Sequence, residues 1–290
     1  GASPFDESPE FRYNIIPDAM MVNQNLITLH IASNEKDVRV FSVPALPNVV
    51  LKSELGLNEA RCADWEDTWK IPQTAIAENG VMTMTLRGTF PKNCNRIEEI
   101  NALDRDGWIE GAFRSIWINR LGGAWTGRVR VGTLVEAGAR KLAEQQSRLL
   151  GALVRDANKS SDNAITRTLF LQLGVGHVQA GEPSLAASER RMRTWLRDIG
   201  VDESKIVFEN GSGLSRTERI SAAQLARILQ YAYTSPWSHE FISSLPIAGV
   251  DGTLRNRLTD SNAKNRARVK TGTLRDVVSV AGYVPDANGN

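Results

Sequence analysis

At 290 residues, with 41% hydrophobic and 23% charged side chains, the chain has the composition of a globular protein of about two domains, which excludes wholesale disorder. Its 35 basic and 33 acidic residues leave a net charge of +2, too little to bind nucleic acid or an anionic membrane surface by charge alone. No apolar run approaches the length of a membrane span, so no integral membrane segment is expected.

Alternating apolar segments come first: Met21 to Ile31, Val38 to Val43, Trp69 to Ile76 and Val81 to Phe90. Asn34-Glu35-Lys36 joins the first two as a hairpin turn, and Glu78-Asn79-Gly80 joins the last two. Cys62 and Cys94 fall in this part. A disulfide between them is expected; it would contribute about 3 kcal/mol and imply an oxidising compartment such as the periplasm. Two buried thiols are the alternative. Near residue 97 the pattern changes from strands to helices, which predicts a β-rich domain over 1–97 and an α/β lobe over 98–290.

In the lobe, Trp108, Ile109, Ala112, Phe113, Ile116 and Trp117 mark a helix ended by Gly122-Gly123. Leu149, Leu150, Leu153, Val154 and Ala157 predict another, and Ile165, Leu169, Phe170 and Leu173 a third, with Ser161-Asp162-Asn163 at the corner between them. Such a corner serves either as an N-cap of the following helix or as a place where polar side chains turn into a cleft. The run Glu189 to Arg193 is the solvated face of a helix whose apolar face holds Trp195, Leu196 and Ile199. Gly211-Ser212-Gly213 begins like a dinucleotide loop, but Arg216 stands where a third glycine belongs and the next helix starts only near Ser221, so a turn in or beside a cleft is expected instead. Ser221 with Gln224 forms a capping box for a helix that buries Leu225, Ile228 and Leu229. Arg268 to Thr273 and Asp276 to Val284 predict an antiparallel strand pair.

His30, His177 and His239 lack a carboxylate or cysteine at ligand spacing, so neither a metal site nor a Ser-His-Asp triad is supported and no cofactor is called for. The chemistry-bearing triplets are Ser161-Asp162-Asn163 and Lys270-Thr271-Gly272. A Ser-x-Asn match occurs by chance roughly once in a chain of this length, and Lys-Thr-Gly in about one such chain in ten. Beside a Ser-x-x-Lys, the two are the known signature of penicillin-binding proteins and serine β-lactamases. Here Lys270 would supply a fixed positive charge, Thr271 a hydroxyl, and Gly272 room for close approach on an edge strand.

With these triplets, and with Asn210-Gly211-Ser212-Gly213-Leu214-Ser215-Arg216 and Leu245-Pro246-Ile247-Ala248-Gly249-Val250-Asp251-Gly252-Thr253-Leu254, the chain resembles the penicillin-binding protein 4 type of D-Ala-D-Ala carboxypeptidase and endopeptidase, peptidase family S13. Phe11-Arg12-Tyr13-Asn14 and the stretch from Pro17-Asp18-Ala19 to Val22-Asn23 add to the likeness. The first glycine-rich string departs from the family's D-G-S-G-L-S-R by Asn210 for Asp.

The resemblance implies an α/β (α+β) fold: a serine β-lactamase or transpeptidase-like domain, an antiparallel sheet flanked by helices, with a β-rich accessory domain inserted into it. It implies that Ser161 relays a proton to the leaving amine and that Asn163 binds the substrate amide. Lys270 would set the potential of the cleft, Thr271 would bind the terminal carboxylate, Gly272 would keep the approach open, and the Thr273 N–H would join the oxyanion hole. The implied partners are peptidoglycan stem peptides and β-lactam antibiotics.

The nucleophile is absent. Two strings have the letters of Ser-x-x-Lys, Ser33 to Lys36 and Ser261 to Lys264, but the first reads as a hairpin and the second as a polar stretch, whereas a lysine one helical turn from the serine is what the chemistry needs. The chain carries no initial methionine or signal peptide and closes on a Pro285 to Asn290 turn, so it is expected to be an internal fragment of a periplasmic serine-type D-Ala-D-Ala carboxypeptidase acting through an acyl-enzyme, and itself inactive. The alternatives are a non-catalytic peptidoglycan-binding protein of the same fold and a β-lactamase.

Overall fold

Ile27, Leu29 and Ile31 alternate with more polar residues, and all three are fully buried in β1 (Ile27–Ser33). In the computed structural model, which describes residues 5–18, 20–130, 132, 140–286 and 288, β1 is the centre of an antiparallel three-stranded sheet between β2 (Val38–Val43) and β7 (Asn95–Ile100). Ala19, and Ala287, Gly289 and Asn290 of the closing turn, lie outside the described residues. The expected start of the first strand at Met21 moves to Ile27, because Asn23, Gln24 and Asn25 take left-handed backbone angles and the Asn23 side chain donates to the Leu26 carbonyl.

A second sheet is built on β6 (Met82–Pro91). β5 (Trp69–Ile76) pairs with it antiparallel, while β3 (Val49–Ser53) and β4 (Gly56–Asn58) pair with it in parallel. Met82, Met84 and Leu86 point inward and meet Leu29, Phe90 and Trp65 in one core. Each such side chain contributes about 1.5–3 kcal/mol by burial. Cys62 and Cys94 are joined as a disulfide with their Cα atoms 5.3 Å apart.

The fold clusters into two compact units, Gly1–Arg140 and Lys141–Asn290. The change of pattern near residue 97 falls inside the first, since Ile100, Leu103 and Trp108 complete its core and the Trp108 indole donates to the Leu26 carbonyl at 3.0 Å. Strands give way to α1 (Arg105–Arg114), capped by Asp104 and continued by a π-helical turn, Ser115–Arg120.

The second unit holds α2 (Leu150–Ser160), α3 (Asn163–Gln172), α4 (Ser184–Asp198), α5 (Ala222–Thr234), α6 (Ser238–Ser244) and the antiparallel pair β8 (Arg268–Leu274) and β9 (Val277–Tyr283). The capping box of Ser221 and Gln224 is formed. The helix it starts does not bury its apolar face as expected: Leu225, Ile228 and Leu229 are only half-buried, with Ile228 packed beside Leu196, Val201 and Ile206. Arg193, expected on a solvated face, is instead half-buried; its guanidinium bonds Glu189, Glu203 and the Ile206 carbonyl and lies over the Phe208 ring.

Candidate functional site

The corner between α2 and α3 divides the labour of Ser161-Asp162-Asn163. Asp162 is the N-cap: it is buried, and its Oδ1 accepts from the Ile165 N–H at 2.8 Å. Capping therefore explains the middle residue of the motif and leaves the outer two free of that duty. Ser161 ends α2 in the left-handed conformation, φ 58° and ψ 45°, a position usually given to glycine or asparagine. A serine held there costs roughly 1–2 kcal/mol, so backbone strain falls on the residue whose hydroxyl lies at the corner.

On β8, Lys270 pairs with Ala281, Thr271 with Val280, Gly272 with Ser279 and Thr273 with Val278. The Lys270 Nζ donates to the Ser161 Oγ at 2.9 Å and to the Thr271 carbonyl at 2.6 Å. The two motifs, more than a hundred positions apart in the chain, thus meet through a direct side-chain contact. Burial holds the Lys270 ammonium below the ordinary lysine range. A lysine so placed exchanges a proton with a hydroxyl more readily than an exposed one does.

The free edge of β8 follows from its ladder. Val269 donates its N–H to the Pro246 carbonyl at 3.0 Å, on the side away from β9. With a period of two, the N–H groups of Thr271 and Thr273 face the same edge, and no strand among the described residues pairs with them there. A Cβ on Gly272 would lie 2.8 Å from the Ser279 hydroxyl, which would have to turn away to make room for it.

The loop after α4 packs on this framework. Gly211, at φ +77°, lies against the Phe170 ring of α3, and the Glu218 carboxylate accepts from the N–H groups of Glu209, Asn210 and Gly211. The loop is filled by its own carboxylate, so it offers no pyrophosphate site. Neither Ser-x-x-Lys string is helical. Ser33 ends β1 and donates to the Pro91 carbonyl, Asn34 caps the turn to β2, and Ser261 to Lys264 is a succession of turns. Among the described residues no group of three or more His, Cys, Asp or Glu is placed to hold a metal ion.

The crystal structure of penicillin binding protein 4 (dacB) from Haemophilus influenzae has the same fold, with a TM-score of 0.71 over 97% of this chain and 61% of that one, at 21% identity. A second structure of that protein, complexed with a novel β-lactam, gives 0.70 over 98% and 64%. This defines the class as the mixed α/β fold of penicillin-binding protein 4. The model of the D-Ala-D-Ala carboxypeptidase 3 (S13) family matches residues 5–290, and the chain belongs to that family. Among curated relatives, the D-alanyl-D-alanine carboxypeptidase of Actinomadura sp. (strain R39) is 28% identical over 72% of this chain and 40% of its own length. Carboxypeptidase DacB of Mycolicibacterium smegmatis is 33% identical over 54% of this chain and 36% of its own. The chain thus spans about two fifths of these relatives.

Two residues escaped the reading of the sequence. Lys159, two positions before Ser161, is bonded to Asp251 of the Leu245 to Leu254 string. The letters of that string carry the family likeness, but no local signal in it points to the corner.

Proposed function

We propose that this chain carries the substrate-binding part of a serine-type D-Ala-D-Ala carboxypeptidase or endopeptidase, which acts on peptidoglycan stem peptides through an acyl-enzyme. The observation that carries it is the hydrogen bond from Lys270 to Ser161, which joins the two motifs at a helix corner and an edge strand. Ser161 passes a proton toward the leaving amine, with Lys270 as its partner and as the positive charge of the cleft. Asn163 holds the substrate amide in the plane of its own. Thr271 binds the terminal carboxylate, and the Thr273 N–H, on the open edge of β8, donates to the oxyanion.

The nucleophile of this reading is the serine of a helical Ser-x-x-Lys outside these 290 residues. Support comes from the non-helical setting of Ser33 and Ser261 and from the greater length of the relatives. The first compact unit is then the accessory region and the second the catalytic one. The disulfide supports an oxidising compartment, the periplasm.

Incubation with labelled penicillin tests the proposal on the protein expressed from the whole reading frame that contains this chain. A covalent adduct on a serine outside the 290 residues is expected, while the 290-residue chain alone stays unlabelled. Substituting Ser161→Ala or Lys270→Met in the whole protein should slow acylation by about 10²–10⁴-fold. No adduct on the whole protein would make it a non-catalytic peptidoglycan-binding protein, and fast turnover of the penicillin would make it a β-lactamase. An adduct at Ser33 or Ser261 would overturn the assignment of the nucleophile.

A further inference from the structure

The Ser161 corner and the Lys270 strand are connected by one loop. Leu245 to Asp251, which follows α6, runs beside the start of β8: Ala248 donates its N–H to the Ala267 carbonyl at 3.0 Å, and the Pro246 carbonyl accepts from the Val269 N–H at 3.0 Å. The residue after Val269 is Lys270. The other end of the loop holds α2. The Lys159 Nζ donates to the Leu245 carbonyl at 2.6 Å and to both Asp251 carboxylate oxygens at 2.8 and 2.7 Å. One residue earlier, the Asn158 amide donates to the hydroxyl of buried Ser244 at 2.7 Å.

Two further features tighten this junction. Asp251 Oδ1 also accepts the Ile247 N–H at 2.8 Å, so the carboxylate closes its own loop while it holds Lys159. Gly252, at φ +56°, lies so close to α2 that a Cβ there would come within 2.8 Å of the Lys159 carbonyl. With side chains 14% and 26% exposed, Lys159 and Asp251 are shielded from water, unlike the surface ion pairs that contribute little. The three ammonium hydrogens of Lys159 match its three acceptors, so its hydrogen bonds are all spent within this junction.

We propose that Lys159 and Asp251 are positioning residues that clamp the last turn of α2 to the loop preceding β8 and thereby hold the Ser161 hydroxyl at bonding distance from Lys270. The clamp acts through geometry, by fixing how far the helix corner stands from the strand. Its catalytic consequence rests on the function proposed above, whereas its geometric content does not.

The experiment follows the titration of Lys270 by NMR in the chain labelled with carbon-13 at lysine Cε, the resonance being assigned with Lys270→Arg. Lys159→Met and Asp251→Asn are compared with the wild type. If the pair acted on Lys270 only by charge through space, loss of the cation would raise the Lys270 midpoint and loss of the anion would lower it. Arg155, the other charge near Asp251, is the same in both variants. If the pair positions the corner, both variants release Ser161, admit water to Lys270 and raise its midpoint, by about half a pH unit or more.

A rise in both variants, with native near-ultraviolet circular dichroism, is the expected result. Opposite shifts, or no shift in either, would overturn the proposal. Should either variant lose its tertiary signal, Asp251→Glu decides, since it keeps the charge and moves it by one methylene: a raised midpoint supports positioning and an unchanged one rejects it. In the whole protein, acylation by labelled penicillin should fall about 10²-fold in Lys159→Met and Asp251→Asn, as a displaced catalytic group does. A wild type that is not acylated would count against the proposed function alone, and the titration would still decide the clamp.

Discussion

Ser161 combines a strained backbone with a hydrogen bond from Lys270, and the two are separable. Ser161→Ala and Ser161→Gly both remove the hydroxyl that meets Lys270, but only alanine keeps a Cβ at φ 58°. Glycine is expected to be the more stable of the two by about 1 kcal/mol in urea unfolding, with both losing function alike. Equal stabilities would mean that the corner is not held in the left-handed region in solution. Glu98 offers a second residue-scale test. It is half-buried on β7 with Glu66 and Glu99 nearby, and burial first, then their like charges, push its carboxyl from 4.5 up to about 7. Below the lower value both states hold the proton and the site costs nothing. As pH rises between the two values the unfolded chain ionises while the folded one does not, and above the higher value the folded state carries the full penalty. Stability of the first unit should therefore decline between about pH 4.5 and about pH 7, and Glu98→Gln should flatten that decline. A profile identical in the variant would place the titration elsewhere.

Among the elements, legibility followed the range of the forces involved. β2 has the ends that alternation predicts, because a half-buried antiparallel strand writes its exposure pattern into every second residue, whereas β5 has the expected ends although Pro72 is its one buried residue and its exposure does not alternate. β3 and β4 are short and pair in parallel with β6, so no hairpin turn announces them. The corner at Ser161 was visible as a break between two helical periodicities, and β8 as a β-rich run. What could not be read was the φ of Ser161, the contact with Lys270, and the Lys159 clamp, since each depends on the packing of segments distant in sequence. Gly211 shows the same limit: its letters suggested a turn, and only the packing explains why it must be glycine. Gly211→Ala would bring a Cβ to 2.5 Å from the Phe170 ring at a φ of +77°. A loss of at least about 2 kcal/mol is expected, measured by thermal or urea unfolding. A neutral substitution would show that the loop does not seat on α3.

At the scale of the whole molecule, each compact unit has its own hydrophobic core. Ile27, Leu29, Met82, Met84, Leu86 and Trp108 belong to the first, while Leu196, Val201 and Ile206, and separately Ala248, Leu254, Ala267 and Val269, belong to the second. A change from strand to helix was the only boundary signal in the sequence, and it lies within the first core, because one core takes strands and helices alike. The disulfide also lies wholly in the first unit, where it closes a loop over a sequence separation of 32. Cross-links of that span stabilise by about 3–4 kcal/mol, chiefly by constraining the unfolded chain. Units with separate cores unfold as separate cooperative transitions when little else couples them. Calorimetry of the chain should then give two transitions, and reduction of Cys62–Cys94 should lower one and leave the other in place. The Lys159→Met variant should do the reverse, shifting only the transition that reduction spares. A single transition displaced as a whole by either change would show that the molecule unfolds as one body, and that the two units share their stability.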